Sequence, residues 1–224
     1  MTTRSPWARE YARRPNEYVL GTAPSAFART LRALLVPGAQ VLELGCGEGR
    51  DSVFFAGCGC DVTAVDVSAA GLRKGERLAQ RAGVDVRWVH GDAARYLPTG
   101  QFDFVFSCGA IHYVPRRLRP GLLARVKAAT RPTGIHAHLV FTDCTVYVEK
   151  NERIDYFAAG ELSGVYDDWQ IAWSGHGTIP CDQDGRPHRH GVEELIARRP
   201  ATKEDAVTVC RLSIPGGAGL TGQN

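Results

Sequence analysis

Val41-Leu42-Glu43-Leu44-Gly45-Cys46-Gly47-Glu48-Gly49-Arg50 decides how this chain is read. An apolar run ends in three glycines at alternate positions, and a helix-compatible segment follows. A second apolar run, Asp61-Val62-Thr63-Ala64-Val65, ends in Asp66. Strand, glycine loop, helix, strand and acid form a nucleotide-binding unit. Glycine lets the backbone approach a ligand that a Cβ would push away. The acid can accept hydrogen bonds from both ribose hydroxyls. The spacing also narrows the nucleoside. A dinucleotide loop reads G-x-G-x-x-G, whereas here the third glycine comes one residue early, at Gly49, and Arg50 follows. The Gly-Lys-Ser/Thr of a phosphate-cradling loop is absent. Glu48 in the loop and Asp51 at the helix start suit a cationic or zwitterionic ligand better than a pyrophosphate.

Outward from this unit the pattern repeats. Strands are expected over 40–44, 61–65, 84–90, 102–107 and 135–141, with helices over 50–56, 68–81 and 118–130 between them. Such alternation predicts a parallel sheet covered on both faces. Upstream, Trp7, Tyr11 and Tyr18 recur at a spacing that suits one side of a helix. Gly21-Thr22-Ala23-Pro24 ends that stretch, and Ser25 can cap a helix over 26–35. The last third departs from the alternation. Residues 147–156 are irregular and charged, and 158–166 read as a helix. Strands over 169–173 and 192–197 flank a polar loop at 175–190, which predicts an antiparallel hairpin finishing the sheet. The expected fold class is therefore α/β: a Rossmann-like, mostly parallel seven-stranded sheet ending in an antiparallel hairpin, with helices on both faces. One domain over 1–215 is expected, with 1–36 as an N-terminal helical lid and 216–224 as a disordered tail.

The bulk properties fit one soluble core. The chain has 224 residues, 44% apolar and 23% charged. A net charge of +3 with dispersed basic residues argues against nucleic acid or a membrane surface as partner. No apolar run nears the ~18 residues that span a bilayer, and the N-terminus lacks the apolar core of a signal peptide. A cytoplasmic location is expected, with the seven cysteines reduced.

Glu43-Leu44-Gly45-Cys46-Gly47-Glu48-Gly49 resembles motif I of class I S-adenosylmethionine-dependent methyltransferases. Asp66 matches their ribose-binding acid, Gly91-Asp92-Ala93 their adenine segment, and Phe102-Asp103-Phe104-Val105 their fourth strand. Pro132-Thr133-Gly134 is similar to the turn before their fifth strand. The resemblance covers residues 38–141 and implies a class I methyltransferase fold with S-adenosylmethionine as cofactor. It implies that Gly45 and Gly47 admit the methionine part, with Glu43 and Cys46 in the same motif. It further implies that Asp66 takes the ribose, Val67 packs on the adenine, and Asp92 with Ala93 meets the adenine edge. Ser107 would lie near the amino-acid end of the cofactor, or be an ordinary strand-end residue. Arg50 would reach the methionine carboxylate or a substrate anion, or remain a surface arginine.

Gly160-Glu161-Leu162, Tyr166-Asp167-Asp168-Trp169-Gln170-Ile171 and, after the first strand, Gly47-Glu48-Gly49-Arg50-Asp51-Ser52 resemble the tellurite-resistance methyltransferase branch. Asn16-Glu17-Tyr18 with Gly21 and Pro24-Ser25 is similar to the lid of that branch and of thiol and thiopurine methyltransferases; Tyr18 foremost, and Tyr11, are candidates to close over cofactor and substrate, or else pack as one face of a helix. The 175–190 loop departs from that branch. The resemblance implies a small-molecule acceptor with a soft nucleophile: a thiol, a selenium or tellurium species, or a thiopurine-like heterocycle. Two other readings stay open. One is an N- or O-methyltransferase of a natural-product pathway with a histidine base; the other is a nucleoside-binding module without transfer.

His112, after the fourth strand, is a candidate for substrate contact or proton handling, or a loop histidine packed on Tyr113. In His188-Arg189-His190 the two histidines share one strand face, so they can contact substrate, act as base or simply face solvent. A His-x-His pair can be half of a metal site, and Cys181 and His176 lie nearby in sequence, but no third ligand has convincing spacing, so no metal is expected. His136 and His138 also share a face and are expected to pack against a helix with their hydrogen bonds satisfied.

Overall fold

The computed structural model describes residues 6–145, 154–182 and 186–201. The expected tail and residues 147–153 lie outside the described residues. The elements run in the order α1 (Pro6–Arg13), α2 (Ala26–Thr30), β1 (Gln40–Leu44), α3 (Arg50–Gly57), β2 (Asp61–Asp66), α4 (Ala69–Ala82), β3 (Arg87–His90), β4 (Phe102–Cys108), α5 (Arg119–Ala128), β5 (Thr130–Thr142), α6 (Glu161–Val165), β6 (Gln170–Cys181) and β7 (His188–Arg198). They build one seven-stranded sheet in the order β3-β2-β1-β4-β5-β7-β6. Strands β1 to β5 pair in parallel, and β7 pairs antiparallel with both β5 and β6. The expected fold class is the observed one. Among the described residues no helix is long and apolar enough to cross a membrane.

Strand alternation gives the sheet its two cores. Val41, Phe104 and Phe106 face Phe27, Leu31 and Phe55 from α2, the turn after it and α3. Leu42, Leu44 and Val105 face Leu122, Leu123 and Val126 of α5 on the other side. β2 and β4 flank β1, so the chain reverses its direction of winding there and opens a crevice at the carboxyl ends of the strands. The Ser68 hydroxyl caps α4 by accepting from Gly71 N–H at 3.1 Å.

Several element limits differ from expectation. The first helix stops at Arg13, so Tyr18 lies beyond it. Pro15 disfavours helical backbone at Arg14, which sets that end. The helix expected over 26–35 becomes α2 plus a short 3-10 turn at Arg32–Leu34. The polar loop expected over 175–190 is mostly strand, since β6 continues to Cys181 and β7 begins at His188. On this edge hairpin backbone pairing sets the structure despite polar side chains, because one face stays open to water.

His136 and His138 are fully buried and belong to one hydrogen-bonded chain. The Thr130 hydroxyl donates to the Val126 carbonyl at 2.6 Å, since a carbonyl only accepts. His136 Nε2, 2.7 Å from that hydroxyl, therefore carries the proton and donates to it. His136 Nδ1 is then a lone pair that accepts from the Tyr166 hydroxyl at 2.7 Å. Tyr166 accepts in turn from His138 Nε2–H at 2.9 Å, and His138 Nδ1 accepts from Ser107 Oγ at 2.9 Å. Burial holds both imidazoles neutral: it depresses His136 well below the usual histidine value and His138 to about 3. Tyr166→Phe would leave one buried acceptor and one buried donor unpaired without opening a cavity. Denaturant unfolding should show a loss of about 2–5 kcal/mol. A loss under about 0.5 kcal/mol would mean that the chain of bonds is not formed.

Candidate cofactor and acceptor site

The end of β2 builds the glycine loop. The Val65 carbonyl accepts from Gly45 N–H at 2.8 Å and from Cys46 N–H at 3.1 Å. The Asp66 carboxylate accepts from Gly47 N–H at 2.8 Å through one oxygen and from Ser68 N–H at 2.7 Å through the other. Three successive loop amides are thus held by two neighbouring residues of β2. Each Asp66 oxygen keeps further acceptor capacity for a ribose hydroxyl. The glycines are required by the protein itself. Gly45 has φ +73°, and a Cβ there would lie 2.3 Å from the Ala110 Cβ. Gly47 has φ +57°, and its Cβ would meet the Tyr11 hydroxyl at 2.7 Å.

A cavity of about 820 Å³ lies over this loop at the carboxyl ends of β1 to β4. Glu43, Gly45, Cys46, Gly47, Arg50, Asp66, Val67, Asp92 and Ala93 all line it, as do His112 and His190. Nine of the expected cofactor residues are therefore brought together. Tyr18 and Ser107 are not among the lining residues. The Tyr18 hydroxyl donates to the Lys74 carbonyl at 2.9 Å and accepts from Arg81 at 3.0 Å, which fixes it on the back of α4. Strand alternation turns Ser107 into the core, onto His138, while Cys108 lines the cavity. His188 lies outside the lining as well, beside His190.

The N-terminal segment closes one side. Tyr11 is buried over the glycine loop, and Trp7 Nε1–H donates to the Tyr113 hydroxyl at 2.6 Å across the cavity mouth. A buried ion pair fastens this segment: Lys74 Nζ lies 2.6 Å from Glu48 Oε1 and donates to the Glu17 carbonyl at 2.8 Å. The same Glu48 accepts from Leu20 N–H at 3.4 Å. Arg50 donates to the Leu20 carbonyl at 2.9 Å, so it is neither a free surface arginine nor wholly committed to a ligand.

Three carboxyls in the lining have raised proton affinity, each chiefly because burial penalises the charged form. Glu43 rises to about 8, with Asp51 adding to the shift and Ser52 opposing it. Asp51 and Asp66 rise too, opposed mainly by hydrogen bonds from backbone amides. A cavity lined by desolvated acids fits a ligand with positive charge, because the ligand's cation would replace lost water.

At the β4 end the site centres on His112, whose ring is stacked on Phe141 at 4.3 Å between centroids. His112 Nδ1 accepts from Phe141 N–H at 3.3 Å, so the neutral ring carries its proton on Nε2. That buried Nε2–H has no partner among the described residues. Burial, the Arg119 charge and His190 push the His112 pKa well below the usual histidine value. Arg119, itself buried, holds the loop by donating to the carbonyls of His112 and Val114 at 3.0 Å each. Sequence reasoning missed Arg119, read Trp7 only as part of a helical stripe, and named Cys181 beside the histidine pair without finding its pairing. Arg119 sits in an arginine-rich stretch that reads as surface, and the other two depend on pairings remote in sequence.

The profile of the family described as "Methyltransferase domain" matches residues 41–134. An uncharacterised methyltransferase of Mycobacterium bovis is 30% identical over 142 residues, covering 62% of this chain and 70% of that protein. Trans-aconitate 2-methyltransferase of Deinococcus radiodurans is 38% identical over 117 residues, 51% of this chain and 43% of that protein. The chain spans about half the length of the first curated relatives that it matches. Among solved structures, TehB from Haemophilus influenzae superposes with a TM-score of 0.72 at 20% identity, covering 80% of this chain and 64% of that one. The Burkholderia thailandensis 1,6-didemethyltoxoflavin-N1-methyltransferase, solved with its substrate and S-adenosylhomocysteine, gives 0.62 at 23% identity, covering 88% of each chain. With the sheet order, the glycine loop and Asp66 in place, the chain belongs to the class I S-adenosylmethionine-dependent methyltransferases.

Proposed function

We propose that this chain methylates an oxygen or nitrogen of a small molecule seated against His112, Tyr113 and Phe141. The carrying observation is the buried His112 Nε2–H, a donor at the cavity end with no protein partner among the described residues. A neutral donor suits an acceptor atom with more than one lone pair, such as a carboxylate or phenolate oxygen, or a neighbouring heteroatom of an aromatic ring. The low proton affinity of His112 suits an acceptor whose nucleophilic lone pair is already available. The expected soft nucleophile is less well supported. Sulfur accepts hydrogen bonds weakly, and the likeness to TehB, at 20% identity, speaks for the fold alone. Two of the proteins compared act, by name, on trans-aconitate and on a ring nitrogen of a toxoflavin precursor.

The cofactor assignment fits the same cavity. Asp66 would take the ribose hydroxyls, Val67 and Ala93 would flank the adenine, and Asp92 would meet its amino group. Gly45, Cys46 and Gly47 would carry the methionine part, near Glu43 and Arg50. S-adenosylmethionine supplies a methyl on a sulfonium, and the residues contribute alignment and exclusion of water. Trp7, Tyr11 and Tyr113 provide that exclusion by roofing the loop.

Asp66→Ala should raise the Kd for S-adenosylhomocysteine by ~10-fold or more while circular dichroism stays native, since two charge-assisted bonds are lost. Unchanged affinity would place the ribose elsewhere. With methyl-labelled cofactor and a panel of carboxylic acids, phenols, ring nitrogens and thiols, label should appear on oxygen or nitrogen. Transfer to thiols alone would overturn the acceptor reading. With an accepted substrate, His112→Phe should lower kcat/KM by about 10- to 1,000-fold, leaving cofactor Kd within about threefold. Full activity of this variant would remove His112 from acceptor recognition.

A further inference from the structure

The β6–β7 hairpin brings together three soft or borderline ligands that the methyl-transfer reading does not use. Its antiparallel register sets Cys181 directly opposite His188 and Ile179 opposite His190. Two residues apart on β7, the histidines face the same way. The thiol of Cys181 and a nitrogen of each imidazole all lie within 4.8 Å of one another. His188 Nε2 and His190 Nε2 are 2.9 Å apart, with the rings at 85°.

The tautomer of His188 follows from its other contact. His188 Nδ1 is 2.6 Å from the Arg186 carbonyl, which only accepts, so Nδ1 carries the proton in the neutral ring. Nε2 is therefore a lone pair aimed at His190. Donation of the remote N–H to a backbone carbonyl is the usual support for a metal-ligating histidine, since it fixes the ring and raises its basicity. His190 is buried and clamped by Phe141, whose ring stacks on it at 4.1 Å and 16°. The same Phe141 stacks on His112 from its other neighbour position, so the hairpin cluster abuts the acceptor end of the cavity.

We infer that Cys181, His188 and His190 form a binding site for one divalent transition metal, preferentially zinc. One thiolate and two imidazoles match zinc in softness and exclude magnesium and calcium, which require oxygen. Zinc–nitrogen bonds of ~2.05 Å at a tetrahedral angle place the two nitrogens about 3.4 Å apart. The histidines would therefore separate by about 0.5 Å from their hydrogen-bonded positions. Binding converts the Cys181 thiol to thiolate and releases its proton to solvent. Cys181 and His190 line the cavity. Three protein ligands leave a fourth position for water or an anionic oxygen donor. The inference does not depend on which atom is methylated.

The test is cobalt titration of the tag-free, metal-stripped chain. One equivalent should give a thiolate-to-cobalt charge-transfer band together with intense visible bands of tetrahedral cobalt, both abolished by one equivalent of zinc. Cys181→Ser should remove the charge-transfer band and weaken zinc by about 100-fold or more, and His188→Gln should weaken it at least about tenfold. Circular dichroism and the Kd for S-adenosylhomocysteine, measured on the same variants, show that the fold and the cofactor site persist. Absence of a charge-transfer band in the wild type overturns the inference. So does a band that survives Cys181→Ser, which would place the metal on another cysteine.

Discussion

The last two residues of β2 hold the site together. Through one carbonyl and one carboxylate, Val65 and Asp66 engage the amides of Gly45, Cys46 and Gly47. A loop with positive φ at both glycines has no secondary structure to satisfy its N–H groups, and those groups lie beside a cavity. Asp66 resolves this while keeping acceptor capacity toward the cavity. The residue that would bind ribose is thus the residue that shapes the loop. Burial raises its proton affinity, and the amide hydrogen bonds draw it back down. Loop geometry and ligand charge are therefore linked through one carboxylate.

A second constraint ties the N-terminal segment to that loop. Lys74 and Glu48 are both nearly inaccessible, and a buried pair of this kind is costly unless its remaining hydrogen bonds are met. Here they are met by Glu17 and Leu20, which belong to the segment being tied. The pair therefore specifies where the chain crosses the loop, more than it adds stability. Tyr11 and Trp7 follow from that placement. On the opposite side Arg119 does the equivalent for the His112 loop. The cavity is thus closed by two segments, each fixed by a buried cation bonded to backbone carbonyls.

The sheet, and the grouping of most expected cofactor residues around one cavity, were legible in the sequence for physical reasons. Buried parallel strands must be continuously apolar, and the glycine loop with Asp66 and Asp92 falls at strand ends where ligands sit. The residues that lie elsewhere than expected share a cause too. Of the two tyrosines offered as a lid, Tyr18 was favoured by its neighbours Gly21 and Pro24, yet a proline-set helix end leaves it on α4 and puts Tyr11 against the glycine loop. Ser107 lies one residue before the strand end, and strand alternation turns it inward. Cys181 lay in a stretch whose polar residues read as loop. Pairing on an edge hairpin made it strand and brought it to His188. What the sequence alone left unread depends on long-range register, which local pattern does not encode.

The central claim is that this cavity holds S-adenosylmethionine with its ribose on Asp66 and its transferable methyl toward His112. A crystal structure of the chain with S-adenosylhomocysteine tests it most directly. The account predicts both ribose hydroxyls within hydrogen-bond distance of Asp66, adenine between Val67 and Ala93, and the sulfur facing His112. A nucleoside bound elsewhere, with Asp66 engaged only by Gly47 and Ser68, would contradict it.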